Sequence, residues 1–517
     1  MKRILCLILC AAMLAGVLAG CEYGAGGEHV PTGDGLTWEG EYTGPVQTDP
    51  VGEGSEQALN LAYYPDRTLN PFLCTDFTNR ALFPLLYQSL FVIDRDYNVE
   101  PQLCSKYTMS PDMRTYTFYV ENAVFSDGTV LTAADVAASL LAAQESQVYS
   151  GRFLHVTEIL LSEDGGVTLK LNTACENLPI LLDIPIIKQT QLEAEFPLGT
   201  GPYVLEVGMT GARLRRRTNW WCQASMTVTA PAIGLTVAES AAQIRDEFEF
   251  ADLGLVCADP GSDRYADYRC DFELWDCENG IFLYLACNMD SPVFSKQEAR
   301  SALTYAIDRD LLAETYYRGF ARGAALPASP LSPYYSNVLA NRYGYDKARF
   351  ASRIGDLGLQ ETSVVLLVNS DDSLRLRVAR AIADMLRAGG LQVQMLELGG
   401  SAYTQAVRAR SYDLYLGQTR LSANMDLSAF FSGSGALSYG GINDVATYTL
   451  CQEALANRGN YYTLHQTIME DGRLCPVLFR SYAVYATRGL LTGLTPSRDN
   501  VFYYSLGKAM EDVFVEQ

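Results

Sequence analysis

Apolar and polar positions along the chain alternate with two different periods. Leu59 to Tyr63 is a short, mostly apolar run that reads as a strand, and Asp66-Arg67-Thr68-Leu69-Asn70-Pro71 supplies the turn after it. A helix is expected from about Asn79 to Leu90. Tyr116-Thr117-Phe118-Tyr119-Val120 mixes aromatic and β-branched side chains in strand alternation. Phe125-Ser126-Asp127-Gly128-Thr129 is a turn, and Leu131-Thr132-Ala133-Ala134-Asp135-Val136 then opens a helix at Ala133. There Thr132 offers its hydroxyl to an orphan amide, Asp135 caps in return, and Leu131 staples onto Val136. The same grammar recurs at Ser295-Lys296-Gln297-Glu298, ahead of a helix with Ala302, Leu303, Ala306 and Ile307 on one face.

Val364 to Val368 is a continuous apolar run suited to a buried strand. Leu374, Val378, Ile382, Met385 and Leu386 follow at helical spacing, and Gly389-Gly390 stops that helix. Leu391, Val393 and Met395 alternate as the next strand, which predicts a right-handed β-α-β unit with parallel strands. Tyr412 to Leu416 is expected to add a third strand, so this region reads as a separate α/β lobe. No internal repeat is present.

The first residues have a different pattern. Lys2 and Arg3 precede an apolar run from Ile4 to Leu18, too short to span a membrane comfortably, closed by Leu18-Ala19-Gly20-Cys21. Residues 1–20 are read as a signal peptide. Leu18-Ala19-Gly20-Cys21 resembles the bacterial lipoprotein box, which implies that Cys21 becomes an acylated N-terminus tied to the membrane. Residues 21–57 are rich in Gly, Pro, Thr and acids and cannot bury enough apolar surface to offset chain entropy, so a flexible tether is expected. The chain beyond residue 57 is too long for one core and long enough for two or three domains.

Composition narrows the partners. With 60 acidic against 39 basic side chains the formal charge is −21, and losing Lys2 and Arg3 makes it more negative. Such a surface repels nucleic acid, and Arg213-Leu214-Arg215-Arg216-Arg217 reads as a solvated strand rather than a phosphate-binding patch. Of 13 cysteines, two lie in the signal and one is Cys21; no Cys-x-x-Cys occurs, so neither a metal site nor a redox pair is expected. Cys270 and Cys277 can close a short disulfide loop or stay as thiols. His29 lies in the tether, and His155 and His465 read as packing or surface residues.

Six stretches in order carry a family resemblance: Thr68-Leu69-Asn70-Pro71-Phe72; Leu86-Tyr87-Gln88-Ser89-Leu90-Phe91; Phe125-Ser126-Asp127-Gly128 with the Leu131 to Val136 helix start; Gly199-Thr200-Gly201-Pro202-Tyr203; Asn219-Trp220-Trp221; and the segment from Ala299 to Arg309. Together they resemble the extracellular solute-binding proteins of family 5, the dipeptide, oligopeptide and nickel type that serve ABC importers. The resemblance implies an α/β, two-lobed, periplasmic-binding-protein-like fold (type II, large family-5 variety) with a ligand cleft between the lobes. It places an N-terminal lobe at 58–284 plus 482–517, including an extra subdomain at about 90–190, and a second lobe at 285–481. The chain would cross between lobes near Asn288 and near Tyr482.

In peptide-binding relatives a Gly-Trp-x-x-Asp pattern after a strand of the second lobe anchors the peptide's ammonium through its Asp. The matching stretch here is Gly417-Gln418-Thr419-Arg420-Leu421, with Gln418 in place of the Trp and Leu421 in place of the Asp. A buried, unpaired ammonium costs several kcal/mol, so an ordinary peptide becomes doubtful unless Asp426 takes over the role; Arg420 favours an anionic or polar group. Tyr64 and Asp66 are expected to face the cleft from the other lobe.

The function expected is therefore that of an extracytoplasmic, lipid-anchored substrate-binding protein. Its partners would be a peptide or other small solute, an ABC permease with its ATPase, and the membrane through the N-terminal lipid. A monomer without cofactor, metal or nucleic acid is expected. A ligand-sensing surface receptor on the same fold is the alternative; a secreted hydrolase is disfavoured because neither a G-x-S-x-G elbow nor an H-E-x-x-H motif occurs.

Overall fold

The computed structural model describes residues 59–504, except 210, 224–227, 251, 261–267 and 492, together with residue 506. The expected signal peptide, Cys21, the tether and His29 lie outside the described residues. Among those described, no helix is long and apolar enough to cross a membrane.

An 11-stranded mixed sheet organises the chain. Its path runs Tyr203–Gly208, Gly211–Arg216, Ala232–Val237, Leu59–Tyr63, Leu255–Ala258, Leu474–Thr487, Phe272–Cys287, Leu414–Arg420, Ser363–Asn369 and Gln392–Leu398, with Ala321–Gly323 paired beside Leu474–Thr487. Two strands are far longer than the rest. Phe272–Cys287 has 16 residues and Leu474–Thr487 has 14, which at about 3.4 Å per residue makes each roughly 50 Å long. They pair antiparallel along their length, and their register shifts between Glu278 and Phe282. On one side of the shift, Ala483 to Ala486 pair with Leu255–Ala258; on the other, Ile281 to Cys287 pair with Leu414–Arg420. The bulge lets the ladder bend where its strands change partners.

The expected β-α-β unit is present. Ser363–Asn369 pairs in parallel with Gln392–Leu398, and between them Ser373–Ala388 buries Leu374, Val378, Ile382 and Leu386, while Asp372 caps its start and Gly389 its end. The third strand also pairs in parallel but is Leu414–Arg420, so it reaches further than Tyr412 to Leu416 and carries Arg420 as its last residue. A separate antiparallel sheet, Cys104–Met109, Thr115–Val120, Val167–Leu171 and Val156–Leu161, packs against the helix Ala133–Glu145. That helix starts with the full capping box of Thr132 and Asp135.

Two expectations are corrected. Asn79 to Leu90 is not one helix: Phe77–Arg80 and Phe83–Leu86 are single turns, and Gln88–Ser89 is a strand. Pro84 cannot donate a backbone hydrogen bond and forces a new helix start there, which the apolar pattern alone conceals. Ser295 does not cap the helix Gln297–Ala306; Lys296 occupies that position without a side-chain cap. Of the two alternatives open for Cys270 and Cys277, the structure has the thiols: the two form no disulfide with each other. The arginine run does lie on a strand, with Arg213 and Arg215 both paired to Glu206, while Arg217 is buried and donates to the carbonyls of Gly201, Val124 and Phe125.

Candidate functional site

The end of the strand Leu414–Arg420 meets a cluster of charges. Arg420 is ion-paired with Asp499, which sits in a left-handed backbone conformation (φ 57°) beyond the end of the second long strand and is almost fully buried. Burial alone would raise the Asp499 pKa, but the guanidiniums of Arg420, Arg80, Arg498 and Arg152 outweigh it and hold the carboxyl below its ordinary value. Arg152 is ion-paired with Asp183, and Arg498 donates to the Tyr97 hydroxyl and the Leu421 carbonyl. Beside this cluster lies a cavity of about 70 Å³, whose walls include Arg80, Tyr149, Arg152, Asp183, Arg498, Asp499 and Asn500. Tyr149 is buried, which raises its phenol pKa, and the guanidiniums of Arg152 and Arg80 lie 5.0 and 6.0 Å from its ring centre.

A second charged link sits at the middle of the sheet. Arg480, on the strand Leu474–Thr487, donates to both carboxylate oxygens of Asp259 at 2.7 and 2.8 Å and to Gln418 Oε1 at 3.2 Å. Two residues along the strand, the ring of Tyr482 stacks on Phe77 with centroids 3.6 Å apart.

These contacts place each residue singled out from the sequence. Gln418 and Arg420 lie together on one strand and engage Arg480 and Asp499 respectively. Leu421 follows directly; its side chain is packed in the core, its amide donates to the Gly280 carbonyl at 3.0 Å, and its own carbonyl faces the Arg498 guanidinium. The neighbourhood is cationic, opposite in sign to what an ammonium requires. Asp426 is already engaged, accepting from the Ser428 amide at 2.8 Å and lying 2.9 Å from His155 Nε2. Burial would raise its pKa, yet His155 and Ser428 keep it lowered. Tyr64 is buried beside Ala238, Phe248 and Tyr485, with Arg67 3.8 Å over its ring, and Asp66 is exposed; neither lines the arginine cavity.

Arg80, Arg152, Arg498 and Asp499 escaped the sequence reading because their neighbourhood is assembled from three distant segments. One signal was available for Arg80, a lone charge ahead of the apolar Ala81-Leu82-Phe83-Pro84. Among the described residues no group of three or more His, Cys, Asp or Glu is arranged to hold a metal ion.

Known proteins share this framework. The family model described as bacterial extracellular solute-binding proteins, family 5 Middle, matches residues 98–438. The glutathione-binding protein GsiB of Salmonella typhimurium is 26% identical over 302 residues, covering 54% of this chain and 58% of that protein, so the match spans little more than half of the relative's length. The ABC transporter substrate-binding protein CtaP of Listeria monocytogenes superimposes with a TM-score of 0.68 at 18% identity, covering 86% of this chain and 97% of that structure. NikA of Brucella suis, solved with Fe(III)-EDTA, gives a TM-score of 0.65 at 19% identity over 83% of this chain and 95% of that one. With its two-lobed α/β fold and a family match over about two thirds of its length, the chain belongs to the bacterial extracellular solute-binding proteins of family 5.

Proposed function

We propose that this protein is the substrate-binding component of an ABC importer, which takes up a small solute between its lobes and releases it unchanged to a permease. The observation that carries the reading is the joining of distant chain segments at one buried polar cluster, where Arg420 from the strand Leu414–Arg420 reaches Asp499 beside a polar cavity. The cavity is lined from the first of the lobes given below, and the Arg420–Asp499 ion pair beside it links that lobe to the second, an arrangement that suits capture by hinge closure. On this reading the lobes comprise 58–284 with 482–517, and 285–481. Cys21 carries the lipid that keeps the protein on the outer face of the membrane, the body acts as a monomer, and no step of catalysis is involved. Relatives named for glutathione, peptides and chelated metal make solutes with several carboxylates the first to try.

A thermal-shift screen of the full-length chain tests this. Glutathione, di- and tripeptides, amino acids, sugars, metal chelates and small anions are added one at a time. A ligand at 100 times its Kd adds about 2.7 kcal/mol of stability, which raises the melting midpoint measurably. At least one class should do so, and mass spectrometry should recover that compound unaltered. Chemical conversion of the compound, or no stabilisation by any class, contradicts the proposal.

A further inference from the structure

A second meeting of distant segments lies away from the arginine cavity. The stretch 151–177 packs against the stretch 422–458. Across this seam the Glu176 amide donates to the Leu455 carbonyl and the Arg458 amide to Glu176 Oε2, both at 2.8 Å, and Gln452 Nε2 donates to Thr173 Oγ1 at 3.4 Å. On the lobe bounds proposed above, the two stretches belong to different lobes. His155 and Asp426 meet on the seam with side chains only 12% and 8% exposed, so the pair is largely desolvated.

The geometry makes one proton decide this contact. Asp426 Oδ1 accepts from the Ser428 amide at 2.8 Å, and Oδ2 faces His155 Nε2 at 2.9 Å. The turn that presents Asp426 has Met425 in the left-handed region (φ 54°), and the Tyr461 hydroxyl donates to the Asn424 carbonyl within it. The other ring nitrogen, His155 Nδ1, faces Asn172 Oδ1 at 3.2 Å. Both nitrogens therefore face oxygen acceptors. A neutral imidazole has one N–H and can serve only one of them, whereas the imidazolium donates to both. Loss of the proton sets a desolvated carboxylate against an uncharged ring and leaves one acceptor unserved, which weakens the seam.

The surrounding groups leave this titration undisturbed. Arg152, on the wall of the same crevice, is paired with Asp183, Lys170 with Glu158, and Glu176 accepts from the Arg458 amide. Burial pushes the Cys175 thiol up to about 12 and raises Cys451 and Tyr461, which lie near Asp426 on the helices Val445–Ala456 and Tyr461–Asp471. Burial also keeps His465, on the second of these helices, neutral. His155 is thus the group of this set that titrates near neutrality.

We infer that His155 and Asp426 form a proton-operated clasp between the two lobes: the protonated imidazole holds 151–177 against 422–458, and its deprotonation lets them part. This rests on the two-lobed receptor reading above and adds a regulation to it, with the closed arrangement favoured in mildly acidic surroundings. Asp426 and Asn172 raise the imidazole pKa against the effect of burial. The clasp is therefore complete below about 6.5 and is lost as pH rises through the higher folded value.

The test needs no solute. Hydrogen exchange of the full-length chain is followed at the Glu176 and Arg458 amides at pH 5.5 and 8.5, as protection relative to the intrinsic rate at each pH. In the unaltered chain, protection at both amides should fall about fivefold or more between the two conditions, the lower end of usual coupling, while amides of Gln392–Leu398 keep theirs. Small-angle scattering should give a larger radius of gyration at pH 8.5. His155→Gln and Asp426→Asn should each remove the pH dependence and leave both amides weakly protected throughout. Histidine-selective NMR of the unaltered chain should show His155 titrating with a midpoint above about 6.5, a readout that stands even if a variant misfolds. Protection independent of pH in the unaltered chain, the same fall in His155→Gln, or a lower midpoint overturns the clasp. A fall in protection with no change in radius overturns its placement between lobes. Failure of the solute screen alongside the expected exchange and scattering results would overturn the receptor reading and leave the clasp standing.

Discussion

His465 lies in the core of the helix Tyr461–Asp471, edge-on to Tyr461 at 5.7 Å, and neither ring nitrogen has a hydrogen-bond partner among the described residues. Burial lowers its pKa to about 3, so it is a neutral packing residue, as the sequence suggested. Its folded-state pKa is below the ordinary value of about 6.5, so the unfolded chain binds the extra proton between these limits and stability falls as pH drops through that window. His465→Phe should therefore lose less stability than the parent between pH 7 and pH 5, measured by urea denaturation at both. A matching loss in the two proteins would show that His465 does not carry the effect. Arg420 was legible one residue at a time as a charge beside the apolar Leu421, and the part that either takes toward a ligand belongs to the proposal above. Arg80 and Asp499 were not, because a buried charge is recognised by its surroundings, and those come from segments hundreds of residues apart.

At the level of elements, local chemistry was readable wherever a single segment decides the outcome. The capping box of Thr132 and Asp135, the parallel strands on either side of Ser373–Ala388 and the stop at Gly389 follow from side chains within a few residues of one another. The failures have a common cause. Asn79 to Leu90 has helical spacing that Pro84 interrupts, and Ser295 has capping chemistry that the chain begins its helix too late to use. Thr132→Ala should cost about 1 kcal/mol through the lost cap. Asp135→Ala should cost more, because Asp135 Oδ1 also accepts from the Gln189 amide at 2.9 Å and so ties the helix to a distant loop. Denaturant midpoints of the two variants give the order, and equal losses would show that the tie to Gln189 contributes nothing. Gly417, in the strand that carries Gln418 and Arg420, packs against the Tyr284 ring. A methyl group there meets the phenol, so Gly417→Ala should destabilise by about 1–3 kcal/mol as overpacking does.

Across the whole molecule, contacts between remote segments decide how the site is assembled. Arg420 with Asp499 is one, and His155 with Asp426 is another, with both side chains of the second pair largely buried. For His155 burial works against protonation, but Asp426 and Asn172 prevail and raise its pKa. A raised histidine contributes stability that is complete below its unfolded value, about 6.5, and is lost as pH rises through the folded value. Asp426, with a lowered pKa, contributes above about 3.9 and loses its share as pH falls through the folded value. The pair should therefore act from mildly acidic to near-neutral pH. The stability difference between the parent chain and His155→Ala should be larger at pH 5.5 than at pH 8.5, and the reverse order would exclude a charged pair. The β-α-β region could be seen from periodicity, whereas the two long strands with their register shift could not, because nothing in Phe272–Cys287 or Leu474–Thr487 marks where one ladder changes partners.

Capture of a solute without turnover is the central claim, and isothermal titration of the full-length chain with the best compound from the thermal screen tests it most directly. The expected result is saturable binding of one molecule per chain with a negative heat-capacity change, loss of most of that affinity in Arg420→Ala, and recovery of the compound with its mass unchanged. Heat that continues after saturation, accompanied by a new product mass, or full affinity retained in Arg420→Ala, would contradict it.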